Sequence, residues 1–340
     1  MRDVTARPRV AELTVSRPPV LTASGVADRL GAFDEEFARD GVAVSIVTSP
    51  EPPNVETLVA ESGSLDALRL RATGAETRLV ALGWVDAGGT LVGRRTSAHR
   101  SPSALRSQRF GLSIGRDDPD GRRRAAALRA YSSALAIAGC GLGDVHLVPI
   151  ERPELDALRD GEVDVVYLPH RLTHDVARDY DVRVAIDLDT YSDPRVRIND
   201  VGPLLITACR EVLEEAPDLV ARFLAVLLDT SQWAAGHRRE LARVVRSADG
   251  RQFPPDLHLG AHRRLGIDLT RDRFQLLAQQ HRFLRTHGFL ERDVDLIDWI
   301  DPAPLHAAAD LLAARRIVGT GTDGASPVPS RRRAGFGSPT

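Results

Sequence analysis

The sequence predicts an α/β protein of two lobes with a helical C-terminal section. Three observations lead there. Strands and helices alternate from about Phe110 to Asp187, which argues for a parallel-rich sheet covered on both faces. Leu204 to Ala208 then reads as a strand returning to the first lobe, and the pattern after it is wholly helical. The segment LRDGEVDVVYLPH, Leu158 to His170, reads as a helix end, a glycine stop, a short buried strand and a loop. Gly161 there has the place of a left-handed residue ending a helix that begins near Pro153. Its strand empties into Tyr167, Pro169 and His170, beyond the carboxyl end, where open α/β sheets hold ligands.

The first lobe opens with a strand at Glu12 to Ser16, followed by the loop Arg17, Pro18 and Pro19. A helix is expected over Gly25 to Arg39, with Val26, Leu30, Phe33 and Phe37 at helical spacing. Val42 to Val47 forms a second strand. A proline-rich turn through Asn54 then leads to a helix ending near Gly74. Arg78 to Trp84 and Thr90 to Arg94 read as further strands. Ser101 to Leu105 starts with Ser-Pro, as short helices do.

The second lobe holds strands at Phe110 to Ile114, Val145 to Pro149, Val163 to Leu168 and Val182 to Asp187, and a long helix through Ala138. Helices follow at Glu211 to Ala235, Arg238 to Val245, Asp256 to Gly266, Thr270 to Thr286 and Pro302 to Ala314. The expected division is residues 1–105 with 201–317 for a discontinuous first lobe and 106–200 for the second. Residues 318–340, rich in Gly, Ser, Pro and Arg, form a disordered tail.

Composition narrows the function. At 340 residues, 43% hydrophobic and 27% charged, the chain suits two globular lobes. A net charge of -2 gives no reason to expect nucleic acid or an anionic membrane as partner. Every basic residue apart from histidine is arginine, so Schiff-base and catalytic-lysine chemistry is excluded. Cys140 and Cys209 have neither CxxC spacing nor a histidine cluster, so no metal is expected. His170 and His174 have HxxxH spacing without the glutamate of the protease motif. Walker and GxGxxG loops are absent from the sequence, and no cofactor is expected. The N-terminus has no apolar signal region, so the expected location is cytoplasmic. A transporter permease is expected as partner only if a signal has been lost.

Several stretches carry a family resemblance. VRIND (Val196 to Asp200) is followed by APDLVARFL (Ala216 to Leu224), SQWAAGH (Ser231 to His237), LLAQQHRFLRTHGFL (Leu276 to Leu290) and LIDWIDPAPL (Leu296 to Leu305). In order and spacing this resembles the aryl-sulfinate desulfinase group, the hydroxybiphenyl sulfinate desulfinase type, and the related sulfonate and taurine receptors. The resemblance spans about residues 12 to 315 and implies a type II periplasmic-binding-protein fold, a two-lobed clamp. In those desulfinases a cysteine in the turn after the first strand is the reactive thiol. The matching position here is Pro18. The family's histidine and arginine fall in a segment that reads SPEPPNVETLVAESG here, with neither residue.

The implied function is binding of a small anionic organic molecule, a sulfonate, sulfinate or carboxylate, as in transporter substrate-binding proteins. The alternative is a cytoplasmic desulfinase-like lyase, or another lyase or isomerase, on the same fold. The candidate ligand residues are Arg17, Pro18, Thr22 and Asn54 in the first-lobe loops and Trp84 as an aromatic wall. Ser113, Gly115 and Arg116 come from the first loop of the second lobe, Tyr167 and His170 from the strand end, and Asn199 from the crossover. Arg17 would grip the anion with its planar fork. Thr22 would cap a helix whose free N–H groups favour negative charge.

Overall fold

The computed structural model describes residues 11–49, 51–54, 57–83, 88–96, 102–114, 118–169, 174–199, 202–246 and 265–320. Two mixed sheets form the frame. The first contains β1 (Glu12–Arg17), β2 (Ala43–Thr48), β3 (Val59–Ser62), β4 (Thr77–Gly83), β10 (Leu204–Cys209) and β11 (Ile267–Asp268), in the order β11-β4-β10-β3-β1-β2. The second contains β5 (Thr90–Arg94), β6 (Arg109–Ser113), β7 (His146–Ile150), β8 (Val165–Leu168) and β9 (Val182–Asp187), in the order β7-β6-β8-β5-β9. β1, β2 and β3 run parallel, as do β6, β7 and β8, while β10 and β5 insert antiparallel.

The expected boundary near residue 105 is corrected by sheet membership. β5 hydrogen-bonds to β8 and β9, so the chain first crosses between 83 and 90. β10 returns to the first sheet between β3 and β4, as its apolar run suggested.

Local chemistry explains where the elements stop. The helix expected over Gly25 to Arg39 is split at Gly31, whose φ of 71° closes α1 (Ala23–Leu30) before α2 (Ala32–Phe37) begins. The helix expected over Glu211 to Ala235 breaks at Ala216 (φ -146°), because Pro217 denies its predecessor the helical conformation. Gly161 takes φ 78° just past the helix Glu154–Arg159, as the sequence indicated. The helix Ala303–Thr320 runs past its expected end at Ala314 and into the residues assigned to a tail.

The helices α3 (Ser64–Ala72) and α4 (Arg122–Ile137) bring the lobes together. Arg122 of α4 meets Asp66 of α3 at 3.0 Å. Arg69 of α3 donates to the Asp120 carbonyl at 2.6 Å and to the Phe289 carbonyl at 3.1 Å. A shared apolar cluster joins Leu65 and Leu68 to Ala125, Leu128, Phe283, Leu284 and Phe289. Each fully buried Leu or Phe there contributes about 1.5–3 kcal/mol. Among the described residues, no helix is long and apolar enough to cross a membrane.

Candidate functional site

Two polar regions stand at the carboxyl ends of the strands. The first is a buried cluster in the first lobe. β1 alternates, placing Leu13, Val15 and Arg17 on one buried face, so Arg17 continues the core side of its strand. Its guanidinium lies beneath the first turn of α1, where a β-carbon on Gly25 would come within 2.5 Å of Nη2. Arg17 Nε donates to the Thr22 hydroxyl at 3.1 Å, Nη1 to the Thr48 hydroxyl at 2.8 Å, and Nη2 to the Val20 carbonyl at 2.5 Å. Thr22 caps α1 by accepting from the Gly25 N–H at 3.2 Å. Its hydroxyl also meets that of Ser24 at 3.0 Å.

Ser24 in turn donates to Glu61 Oε2 at 2.5 Å. Glu61 is only 2% exposed, and burial pushes its carboxyl above the usual range. The Ser24 hydroxyl, the Arg17 charge and the Thr22 hydroxyl oppose that shift in part.

The second region is a cavity of about 750 Å³ between the lobes. Arg69 lines it from α3 and Thr73 from just past its end, Ser113 from the end of β6 and Ile114 from the next position, Asp118 from the turn before α4, Arg124 from its first turn, and Arg292 from the C-terminal section. Asp118 gives one oxygen to each of the Arg123 and Arg124 N–H groups at 2.8 Å, which caps α4. Asp120 meets Arg122 at 3.2 Å. Arg124 lies over the Phe289 ring, 5.3 Å from its centre. The Ser113 hydroxyl hydrogen-bonds Glu154, whose other oxygen meets Arg123 at 2.9 Å.

The sequence-predicted residues therefore separate. Ser113 lines the cavity. Arg17 and Thr22 belong to the buried cluster, with Pro18 half-buried beside them and its carbonyl accepting from Val20 at 2.8 Å. Asn54 is exposed and accepts from the Thr57 hydroxyl at 2.9 Å. Asn199 is buried at the crossover. Its side chain accepts from the Gly202 N–H at 2.8 Å, and its carbonyl accepts from Gln280 at 3.0 Å.

Tyr167, expected at the cleft, packs in the second-lobe core with Val165, Phe110 and Tyr131 instead. Alternation along β8 turns it toward α4, and Gly89 supplies the space at its ring edge. Trp84, Gly115, Arg116 and His170 lie outside the described residues. Sequence reasoning placed Ser24 beside Thr22 at the start of the first helix but missed its partner Glu61, and it missed the cavity arginines Arg69, Arg124 and Arg292. Glu61 sits in β3, a strand of four residues that the sequence reading passed over as loop and helix. Among the described residues no group of three His, Cys, Asp or Glu could hold a metal ion.

No family model matches the chain, and no curated protein matches it by sequence. Solved structures do. The desulfurization enzyme DszB superposes with a TM-score of 0.66 at 19% identity, over 88% of this chain and 99% of that one. The periplasmic aliphatic sulphonate binding protein SsuA from Escherichia coli gives 0.62 at 14% identity, over 86% and 92%. The alkanesulfonate-binding protein SsuA from Xanthomonas axonopodis pv. citri, bound to MOPS, gives 0.59 at 14%, over 87% and 99%. At such identities likeness speaks for architecture alone, and on architecture it is consistent: the chain has the two-lobed periplasmic-binding-protein fold.

Proposed function

We propose that the chain binds a small organic anion of the sulfonate, sulfinate or carboxylate class between its lobes, without breaking a carbon–sulfur bond. The observation that carries this reading is the interlobe cavity of about 750 Å³, on which Arg69, Arg124 and Arg292 converge from three chain segments. The size suits a small-molecule site. Asp118 and Asp120 in its lining are engaged by the α4 N–H groups and by Arg122, and Arg69 by the Asp120 and Phe289 carbonyls, which leaves Arg124 and Arg292 as the guanidinium groups most available to a ligand. Planar guanidinium groups match the oxygens of all three acid classes. The names of the SsuA structures, which specify sulfonate binding, support the same class.

The chemistry available argues against a thiol mechanism. Pro18 offers no nucleophile where the resemblance places the reactive cysteine. The Cys209 thiol is pushed up by burial, which disfavours thiolate. Cys140 accepts from Arg106 Nε at 2.8 Å, away from the cavity lining.

A thermal-shift panel of methanesulfonate, benzenesulfinate and benzoate, run on the wild type and on an Arg124→Ala, Arg292→Ala double variant, tests the proposal. The wild type should be stabilised by at least one of them, with affinity at least tenfold weaker in the variant. Shifts that the double substitution leaves unchanged would overturn the site, and release of sulfite from a bound sulfinate would overturn the non-cleaving reading.

A further inference from the structure

Helix α4 carries two arginines that each lie over a phenylalanine of the C-terminal section. Arg124 is over Phe289, and further along the helix the Arg129 guanidinium lies 5.2 Å from the centre of the Phe283 ring, in the helix Arg271–Thr286. The two positions differ in their access to water. Arg124 is exposed, whereas Arg129 is only 5% exposed. Arg129 Nη2 donates to the Arg195 carbonyl at 3.2 Å, in the turn Pro194–Val196, and its Nε is buried without a hydrogen-bond partner. Among the described residues no carboxylate pairs with it. Burial alone pushes its pKa down to about 10, and the titrating group it acts on, His287, is itself a base. A buried charge is ordinarily matched by an opposite one, and an unmatched one costs free energy for as long as it stays dry.

That cost falls on the contact between the lobes. α4 belongs to the second lobe, where it packs on β6 and β8, while Phe283 shares a cluster with Leu79, Leu82 and Leu205 of the first sheet. Ala125 and Leu128 of α4 enter that cluster and would lose their apolar burial if the lobes parted. Arg129, beside Leu128, would regain water by the same movement. Neighbours on one helix thus pull the joint in opposite directions. Among the described strands, the chain passes between the sheets twice, from β4 to β5 and from β9 to β10, which is the connectivity of a hinge. The anion cavity depends on the same joint, because Arg124 reaches it from the second lobe and Arg292 from the section packed on the first. Only the closed arrangement brings both guanidinium groups to one ligand.

Resting on the anion-binding reading above, we propose that Arg129 is the counterweight of the lobe joint: its unmatched buried charge holds the unliganded chain toward an open arrangement, and so sets how tightly an organic anion is bound. Arg129 is a positioning residue. It lies outside the cavity lining and acts on Arg124 and Arg292 through the joint. Apparent affinity falls with the fraction of chain in the closed state, so a change that removes the opposing charge strengthens binding with no new contact to the ligand.

The test uses Arg129→Met, which keeps the length and an apolar contact for the Phe283 ring but removes the charge. Arg129→Gln, also neutral yet able to donate to the Arg195 carbonyl, separates charge from packing. Cys140 in the second lobe and Cys209 in the first are the only cysteines of the chain, and both are free. Nitroxides on the pair report the interlobe distance by double electron–electron resonance, and small-angle scattering repeats the comparison without labels. Wild type should show a longer distance alone than with saturating methanesulfonate. Both variants should show the short distance without ligand and bind methanesulfonate about five- to tenfold more tightly. Unliganded wild type already at the short distance overturns the proposal, even if neither variant folds. Folded variants with the wild-type distance, or with unchanged or weaker affinity, overturn it as well. If none of the three proteins binds methanesulfonate, benzenesulfinate or benzoate, the anion-binding reading falls, while the distances in the unliganded chains still decide for or against Arg129.

Discussion

The cluster beneath α1 and the cavity between α3 and α4 are both polar, both at strand ends and both rich in arginine, yet they are built in opposite ways. In the cluster every named group is turned inward: Arg17 on Thr22, Thr48 and Val20, and Ser24 on Glu61, with Arg17, Thr22, Ser24 and Glu61 all less than a tenth exposed. In the cavity the acids are spent on capping and on Arg122, while Arg124 rests on an aromatic ring. An arginine whose hydrogen bonds are filled by the chain holds structure together. An arginine left with a ring and an open cavity is placed for a ligand. The two regions should therefore respond differently to the loss of a guanidinium.

The largest effect is expected for Arg17→Ala. The substitution leaves two hydroxyls, a carbonyl and the Glu61 carboxyl without their cation, and should lower unfolding free energy by about 3–5 kcal/mol. Urea denaturation measures it, and the loss should be greater at pH 8 than at pH 5, where Glu61 is more readily neutral. A loss below about 1 kcal/mol would make Arg17 the solvated, ligand-facing residue that the sequence alone suggests.

Gly25→Ala probes the same packing by a different route. In a helix interior Ala is favoured over Gly by about 1 kcal/mol. Here the new β-carbon would lie 2.5 Å from Arg17 Nη2 and displace a guanidinium fixed by three hydrogen bonds. Overpacking should win, with a net loss of about 1–3 kcal/mol. A stabilised variant would mean that Arg17 moves aside without cost and that the cluster is loose.

These two residues also show what the sequence could convey. Strands β1, β2 and β4 to β10 were legible because their apolar residues declare a face, and Gly161 was legible because a left-handed stop has few substitutes. Neither β3 nor its role was legible. In Val-Ala-Glu-Ser the inward residues include Glu61, and what allows a carboxyl there is Ser24, 37 positions earlier in the chain. β5 was assigned to the wrong lobe because its pairing with β8 and β9 depends on strands more than 70 residues away. The cavity arginines were hidden for a compositional reason. In a chain without lysine, Arg69, Arg124 and Arg292 look like all the others until α3, α4 and the C-terminal section converge.

Glu61→Gln sharpens the comparison through pH. Burial raises the folded carboxyl above its ordinary value of 4.5, so the folded chain holds a proton that the unfolded chain has released. Stability from this group is therefore complete below about pH 4.5 and is lost as the pH rises through the folded value. Carboxyls such as Glu36 and Asp164, held down by arginine partners, act in the opposite sense and lose their contribution on acidification. Subtracting the Glu61→Gln profile from wild type isolates the first effect. The difference should favour the variant progressively toward alkaline pH, and a difference that does not vary with pH would remove Glu61 from the titrating groups.

The smallest stability effect belongs to the cavity. Arg124 is exposed; its guanidinium lies over the Phe289 ring at 5.3 Å, and its capped N–H is one that most residues would keep. Arg124→Ala should cost only about 0.5–1 kcal/mol, the range of an exposed cation–π contact. Against that small loss of stability stands an expected large loss of anion affinity, because the guanidinium removed is one the fold does not need. Arg17→Ala should behave in reverse, with stability collapsing first and any affinity change following from it. Measuring both quantities for both variants separates the two kinds of arginine. If Arg124→Ala destabilises the chain as much as Arg17→Ala does, the cavity is a structural joint between the lobes, and its charge has been read for the wrong purpose.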